Sequence, residues 1–151
     1  MSDLVIRDAQ EEDLAFIVSL WQQNGFLGPE DDPVHDITLL TGSGHGNLFV
    51  ADLDGQPVAT AMVGHDGLRG WIDRLAVDGI QQRRGIGSVL IVTAEAWLLE
   101  RGVRRAHLLL APDAEISRLF YENLGYERQP QQMFSRWIDD EDLITDDDDE
   151  A

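Results

Sequence analysis

The sequence predicts an α/β (α+β) domain with a mixed, mostly antiparallel central sheet flanked by helices. Three observations carry this. Two apolar runs, Leu48 to Leu53 and Pro57 to Val63, are joined by Asp54-Gly55-Gln56, a hairpin signal between β-branched segments. A third run, Trp71 to Val77, follows the turn-like His65-Asp66-Gly67 and extends the hairpin into an antiparallel meander. The period then changes: Val89, Leu90, Ala94, Trp97 and Leu98 share one helical face, and the short apolar run Ala106 to Leu110 follows. A strand reached through a helical crossover lies parallel to its predecessor, so Ala106 to Leu110 is expected as a buried parallel strand.

The other elements follow in chain order. Leu4 to Arg7 reads as a first strand, and Glu11, Glu12 and Asp13 suit a helix N-terminus. Leu14, Ile17, Val18 and Trp21 recur at helical spacing up to about Asn24, where Gly25 stops the helix. A loop through Gly28, Pro29, Glu30, Asp31 and Asp32 leads to a second short helix, Val34 to Leu40, ended by the glycine-rich stretch from Gly42 to Gly46. Gly102 is placed to cap the long helix. Ile116 to Leu124 reads as a last helix stopped by Gly125, and Met133 to Ile138 as a last strand. No linker interrupts residues 1–138, which are expected to form one domain.

Composition narrows the chemistry. The 151 residues carry a net charge of −18, with no cysteine and no lysine. Disulfides, thiolate metal sites, Walker-type P-loops and Schiff-base mechanisms are thereby excluded. Half of that charge lies in Asp139 to Ala151, nine acids without a base, expected as a solvated, disordered tail. A body this acidic repels nucleic-acid phosphates and anionic membranes and favours cationic partners. Nothing approaches the length of a membrane span, and Met1-Ser2-Asp3 lacks the basic and apolar regions of a signal peptide, so a cytoplasmic protein is expected. His35, His45, His65 and His107 show no ligand spacing, and no metal is expected.

The chemistry concentrates in Leu75-Ala76-Val77-Asp78-Gly79-Ile80-Gln81-Gln82-Arg83-Arg84-Gly85-Ile86-Gly87-Ser88, a strand, a loop and a helix start. Backbone N–H groups in the first turn of a helix have no intrahelical acceptor and carry the positive end of its dipole. Gly85 and Gly87 allow close approach, Arg83 and Arg84 add charge, and Ser88 offers a hydroxyl: together a pyrophosphate cradle. A dinucleotide-binding fold is excluded because Leu90 stands where its fingerprint needs a third glycine, and because an antiparallel meander precedes the glycines.

Gln82-Arg83-Arg84-Gly85-Ile86-Gly87 resembles the Q/R-x-x-G-x-G/A motif of the GNAT N-acetyltransferases, flanked by Arg74 to Val77 as the family's fourth strand and Ser88 to Ile91 within its third helix. Leu119-Phe120-Tyr121-Glu122-Asn123-Leu124-Gly125-Tyr126 resembles that family's second signature, and the element order matches over roughly residues 4–138. The resemblance implies acetyl-coenzyme A as co-substrate, held at the pyrophosphate by Gln82 to Ser88. It implies that strands four and five splay, and that backbone groups of Leu75, Ala76 and Val77 bond the pantetheine arm. It implies Tyr121 as general acid at the coenzyme sulfur. A carboxylate on the fourth strand is the family's frequent base, and Asp73 is the choice here, set by strand alternation on one face with Trp71 and Leu75. An ion pair between Asp73 and a neighbouring arginine is the competing reading. The family's frequent asparagine early in the fourth helix is replaced by Asp113-Ala114-Glu115.

The acceptor is implied to be a primary amine beneath the first two helices. Trp21, Phe26 and Leu27 beside Glu30, Asp31, Asp32, His35 and Asp36 suit a cationic one. Neither nucleic acid nor membrane is expected as a partner, and a homodimer is compatible with the resemblance. A catalytically weak module that senses acyl-coenzyme A and acts through a protein partner is the alternative reading.

Overall fold

The computed structural model describes residues 3–82, 85–111 and 113–139, which fall in two compact units dividing after Glu115. In the first, five strands pair in sequence order: β1 (Leu4–Asp8), β2 (Gly46–Leu53), β3 (Gln56–His65), β4 (Gly70–Val77) and β5 (Ala106–His107). The first three pairings are antiparallel and the last is parallel, as the helical crossover requires. The hairpin joining β2 and β3 pairs Leu53 with Gln56 across a two-residue turn, Asp54 at φ 52° and Gly55 at φ 85°. Positive φ at both turn residues gives the twist that antiparallel strands need, and Asp-Gly is the pair that tolerates it.

Two helices cover one face of this sheet. The helix α1 (Leu14–Gln23) buries Ile17, Leu20 and Trp21, one turn apart on one side, and α2 (Pro33–Gly42) adds Ile37. These pack with Leu48, Val50 and Ala76 into one apolar cluster. The helix α3 (Ile86–Glu100) packs against β3 and β4 through Ile86, Leu90, Ile91, Ala94 and Leu98. Gly70 permits that approach, because a Cβ there would stand 2.6 Å from a Leu98 methyl and 3.1 Å from the Arg105 carbonyl.

An ion network joins β1 to the approach to α1. Arg7 Nη1 and Nη2 donate to the two carboxylate oxygens of buried Asp13 at 2.7 and 2.8 Å, and Arg7 Nε donates to Asp52 at 2.7 Å. The Asp13 carboxylate also accepts the Gln10 N–H at 2.7 Å. The Arg7 hydrogen bonds hold the Asp13 carboxyl below the usual carboxylate range, against the opposing effect of burial.

The second unit holds α4 (Glu115–Asn123) from Ile116 onward, with Arg118 and Glu122 paired at 2.8 Å one turn apart. Two expectations are corrected. Met133 to Ile138 is not a strand: residues 131–139 carry neither helix nor strand, and Met133, Phe134, Trp137 and Ile138 are exposed. The fifth strand stops at His107, and Leu109 and Leu110 are exposed rather than buried. An apolar run is a local preference, and a strand exists only where a partner edge satisfies its backbone. Asp139 is the last described residue, so the expected tail lies outside the description.

Candidate active site

β4 is paired on both sides only at its start. β5 meets it at Gly70↔Ala106 and Trp71↔His107, whereas Ile72 to Val77 continue for six further residues with β3 as their one ladder partner among the described residues. The edge beyond Trp71 is therefore open where the resemblance places the pantetheine arm, and Leu75, Ala76 and Val77 lie along it. His107 stands at the parting point. Its ring lies 5.0 Å from that of Trp71, and Nδ1 is 3.0 Å from the Gly70 carbonyl. A carbonyl only accepts, so Nδ1 is the donor in this contact.

Within β4 the alternation breaks. Met62 faces Asp73 and Thr60 faces Ala76, so two steps on β3 match three on β4, and Arg74 at the bulge has φ 52°. Trp71, Asp73 and Ala76 thus share the face covered by α1, while Leu75 is turned to the other, which corrects the expected grouping of Trp71, Asp73 and Leu75. The bulge is held by a buried chain: Trp21 Nε1 donates to Thr60 Oγ1 at 3.0 Å, and the Thr60 hydroxyl donates to the Arg74 carbonyl at 2.9 Å. Asp73 is exposed and accepts the Arg74 N–H at 2.7 Å, with the Arg74 guanidinium 3.7 Å away. The anticipated ion pair thus exists, but without hydrogen-bond geometry.

β4 runs into the start of α3. Gly79 to Gln81 form a short turn of 3-10 helix capped by Asp78, and the Gln82 side chain donates to the Val77 carbonyl at 3.2 Å. Gln82 thereby ties the loop to the strand and occupies one backbone group that the reading above gave to the cofactor. Arg83 and Arg84 lie outside the described residues. Gly85 is the N-cap at φ 77°, a conformation that favours glycine, and a Cβ there would meet nothing within 4 Å. Among the described residues no side chain caps the helix, and no acid stands in its first turn. The first-turn N–H groups of Ile86, Gly87 and Ser88 are thus open to an anion, and a diphosphate fits the donor set.

Tyr121 is buried within α4 of the second unit, with its ring 5.0 Å from Phe120 and 5.9 Å from Tyr126. Gly125 at φ 96° ends the helix, and the Tyr126 N–H returns to the Tyr121 carbonyl at 3.1 Å. Sequence reasoning passed over Thr60 and Arg74. A lone threonine inside the apolar run Val58 to Val63 was the available signal for the first. Nothing in the sequence marks a bulge at Arg74.

A meander whose last strand parts from a parallel neighbour and ends at an open helix N-terminus is the architecture implied for the GNAT acetyltransferases. Comparison with known proteins agrees. The family model for the acetyltransferase (GNAT) family matches residues 14–126. An acetyltransferase of Pectobacterium atrosepticum is 33% identical over 122 residues, covering 81% of this chain and 86% of that protein. The chain belongs to the GNAT acetyltransferase family. Among solved structures, the aminoglycoside N-acetyltransferase AAC(6')-Iy in complex with CoA superposes with a TM-score of 0.78 at 22% identity, covering 91% of this chain and 96% of that one. A GCN5-related N-acetyltransferase from Ralstonia eutropha JMP134 gives 0.70 at 23%, covering 89% and 99%. At these identities the superpositions speak for the fold alone.

Proposed function

We propose that the protein transfers an acetyl group from acetyl-coenzyme A to a primary amine by direct attack in a ternary complex. The observation that carries this reading is the continuity of an open β4 edge, Ile72 to Val77, with the uncapped N-terminus of α3. An extended amide-bearing arm ending in a diphosphate matches both parts: strand-like hydrogen bonds along the edge, then N–H groups and dipole at the helix. That the AAC(6')-Iy relative was solved with CoA supports the assignment.

In the reaction the amine nitrogen forms a C–N bond to the acetyl carbon as the C–S bond breaks and the sulfur leaves as thiolate. An alkylamine has a pKa near ~10 and a thiol near ~8.5, so the ammonium must lose one proton before attack and a second as the amide forms, and one proton must reach the sulfur. Asp73, exposed on the α1 face where β4 bulges, is the group assigned to the amine proton. Tyr121 is assigned to the sulfur. The acceptor is cationic in solution at the nitrogen that reacts, which suits an acidic protein.

Following free thiol release with a panel of amines tests the reading. Tyr121→Phe is expected to lower kcat by about 10²-fold or more, the usual scale of a lost general acid, with coenzyme A affinity unchanged. Turnover equal to that of the parent would remove Tyr121 from the chemistry, and absence of coenzyme A binding by calorimetry would overturn the proposal as a whole.

A further inference from the structure

We infer that the acceptor is a zwitterionic amine, an α-amino acid in its free form, whose carboxylate is bound by Arg74 while its ammonium lies against Asp73. This deepens the acetyl-transfer reading and rests on it.

Among the described residues, Arg74 is one of two non-glycine residues with positive φ, a backbone state that costs of order 1–3 kcal/mol and persists only where its surroundings hold it. Those surroundings are the Trp21–Thr60–Arg74 chain of hydrogen bonds, most of it buried. The effect is to turn two consecutive side chains, Asp73 and Arg74, onto the face beneath α1, where unbroken alternation would present one.

The guanidinium then rests between aromatic rings, with Cζ 5.5 Å from the centroids of both Trp21 and Phe26. Its side chain is 23% exposed, and its nearest carboxylate, Asp73, stands at 3.7 Å. No described residue accepts a hydrogen bond from its N–H groups. A planar fork held near two rings, with donors that no described residue takes and partial exposure to solvent, is prepared for a bidentate carboxylate.

The protein's own cation already stands over the Trp21 and Phe26 rings, which leaves the acceptor's ammonium to Asp73. Part of the acidic loop is spent on its own backbone. Asp31 accepts the Gly28 N–H at 2.6 Å and Asp32 caps α2 through the His35 N–H at 3.1 Å. On the α1 face stands a pair of opposite charges side by side, Asp73 and Arg74. An α-amino acid carries the complementary pair on adjacent bonds and has no net charge, so the surrounding −18 does not repel it. A phosphate monoester amine shares the anion chemistry but brings up to two negative charges into that field.

The ¹H–¹⁵N resonance of Arg74 Nε, assigned by its loss in Arg74→Lys, reads the contact without catalysis. Titration with L-alanine, L-phenylalanine and L-serine is expected to shift it, and the corresponding amino-acid amides are expected to leave it in place. In thiol-release assays the amino acids should exceed their amides at least tenfold in kcat/KM. Arg74→Gln should collapse that preference toward one, through KM rather than kcat. Equal response to acids and amides, no response to either, or better turnover of O-phosphoethanolamine than of any amino acid would overturn the inference. Failure of coenzyme A binding would instead remove the acetyl-transfer reading while leaving the resonance shift to be judged on its own.

Discussion

Arg7 and Arg74 are two arginines on two strands of one sheet, and they are treated in opposite ways. Arg7 is held by Asp13 in a bidentate pair and by Asp52 through Nε, with contacts of 2.7 to 2.8 Å. Arg74 has one carboxylate at 3.7 Å and two aromatic rings. The N-termini of α2 and α3 repeat the contrast. Asp32 closes the first through the His35 N–H, whereas Gly85 leaves the second without a side-chain cap. A chain with 29 acidic residues has carboxylates to spare. Arg74 and the N-terminus of α3 are thus open, on β4 and just beyond its end, whereas Arg7 and the N-terminus of α2 are closed and hold the fold.

The largest effect is expected from closing the open helix. Gly87→Asp places a carboxylate in the first turn of α3, where like charges near a surface at ~4 Å repel by about 4 kcal/mol before salt screening. Coenzyme A affinity should fall by about 100-fold or more in calorimetry, allowing for that screening. The same acid favours the helix dipole by roughly 0.5 kcal/mol, so the melting temperature should hold or rise. Loss of affinity without loss of stability separates an anion site from a structural turn; unchanged affinity would place the diphosphate elsewhere.

The closed arginine should respond in stability and not in binding. Asp13→Asn removes charge-assisted hydrogen bonds whose loss costs roughly 1.5–3 kcal/mol, with the lower end favoured because the Arg7 side chain is 31% exposed. The sign with pH follows from the depressed carboxyl. Its folded pKa lies below its unfolded one, so the stabilisation is complete above ~4 and is lost as pH falls through the folded value. Denaturation curves of parent and variant should therefore differ most near pH 7 and converge in acid. A gap that stayed constant down to pH ~2 would contradict the charged pairing.

The same contrast explains which parts of the molecule could be read from its sequence. Closed features are local: Asp54-Gly55 dictates its turn, Asp32 and Pro33 announce α2, and Gly102 at φ 79° ends α3. The glycines of the α3 N-terminus were readable for the same reason, because an open helix start needs only short-range signals. The bulge was not. One residue inserted between Met62 and Thr60 partners reverses the facing of everything after Asp73, and no residue type forces it. Arg7 and Asp13 were likewise read apart, as a strand residue and a helix-start acid, since their pairing depends on how β1 turns into α1. The length of β5 depends on where its neighbour diverges, which no apolar run encodes.

The smallest effect tests the closed helix alone. Asp32→Ala removes the N-cap of α2, whose loss typically costs about 1 kcal/mol, and leaves Pro33 to set the first turn without it. Thermal denaturation should register that loss, while coenzyme A affinity stays within about twofold, because α2 lies on the sheet face opposite α3. Amino-acid KM is the more informative readout. If Asp32 serves only its own helix, KM is unchanged and the acidic loop is structural. If KM instead rises with the parent's coenzyme A affinity intact, a carboxylate spent on a cap also holds the acceptor, and the division between closed and open charges fails at that position.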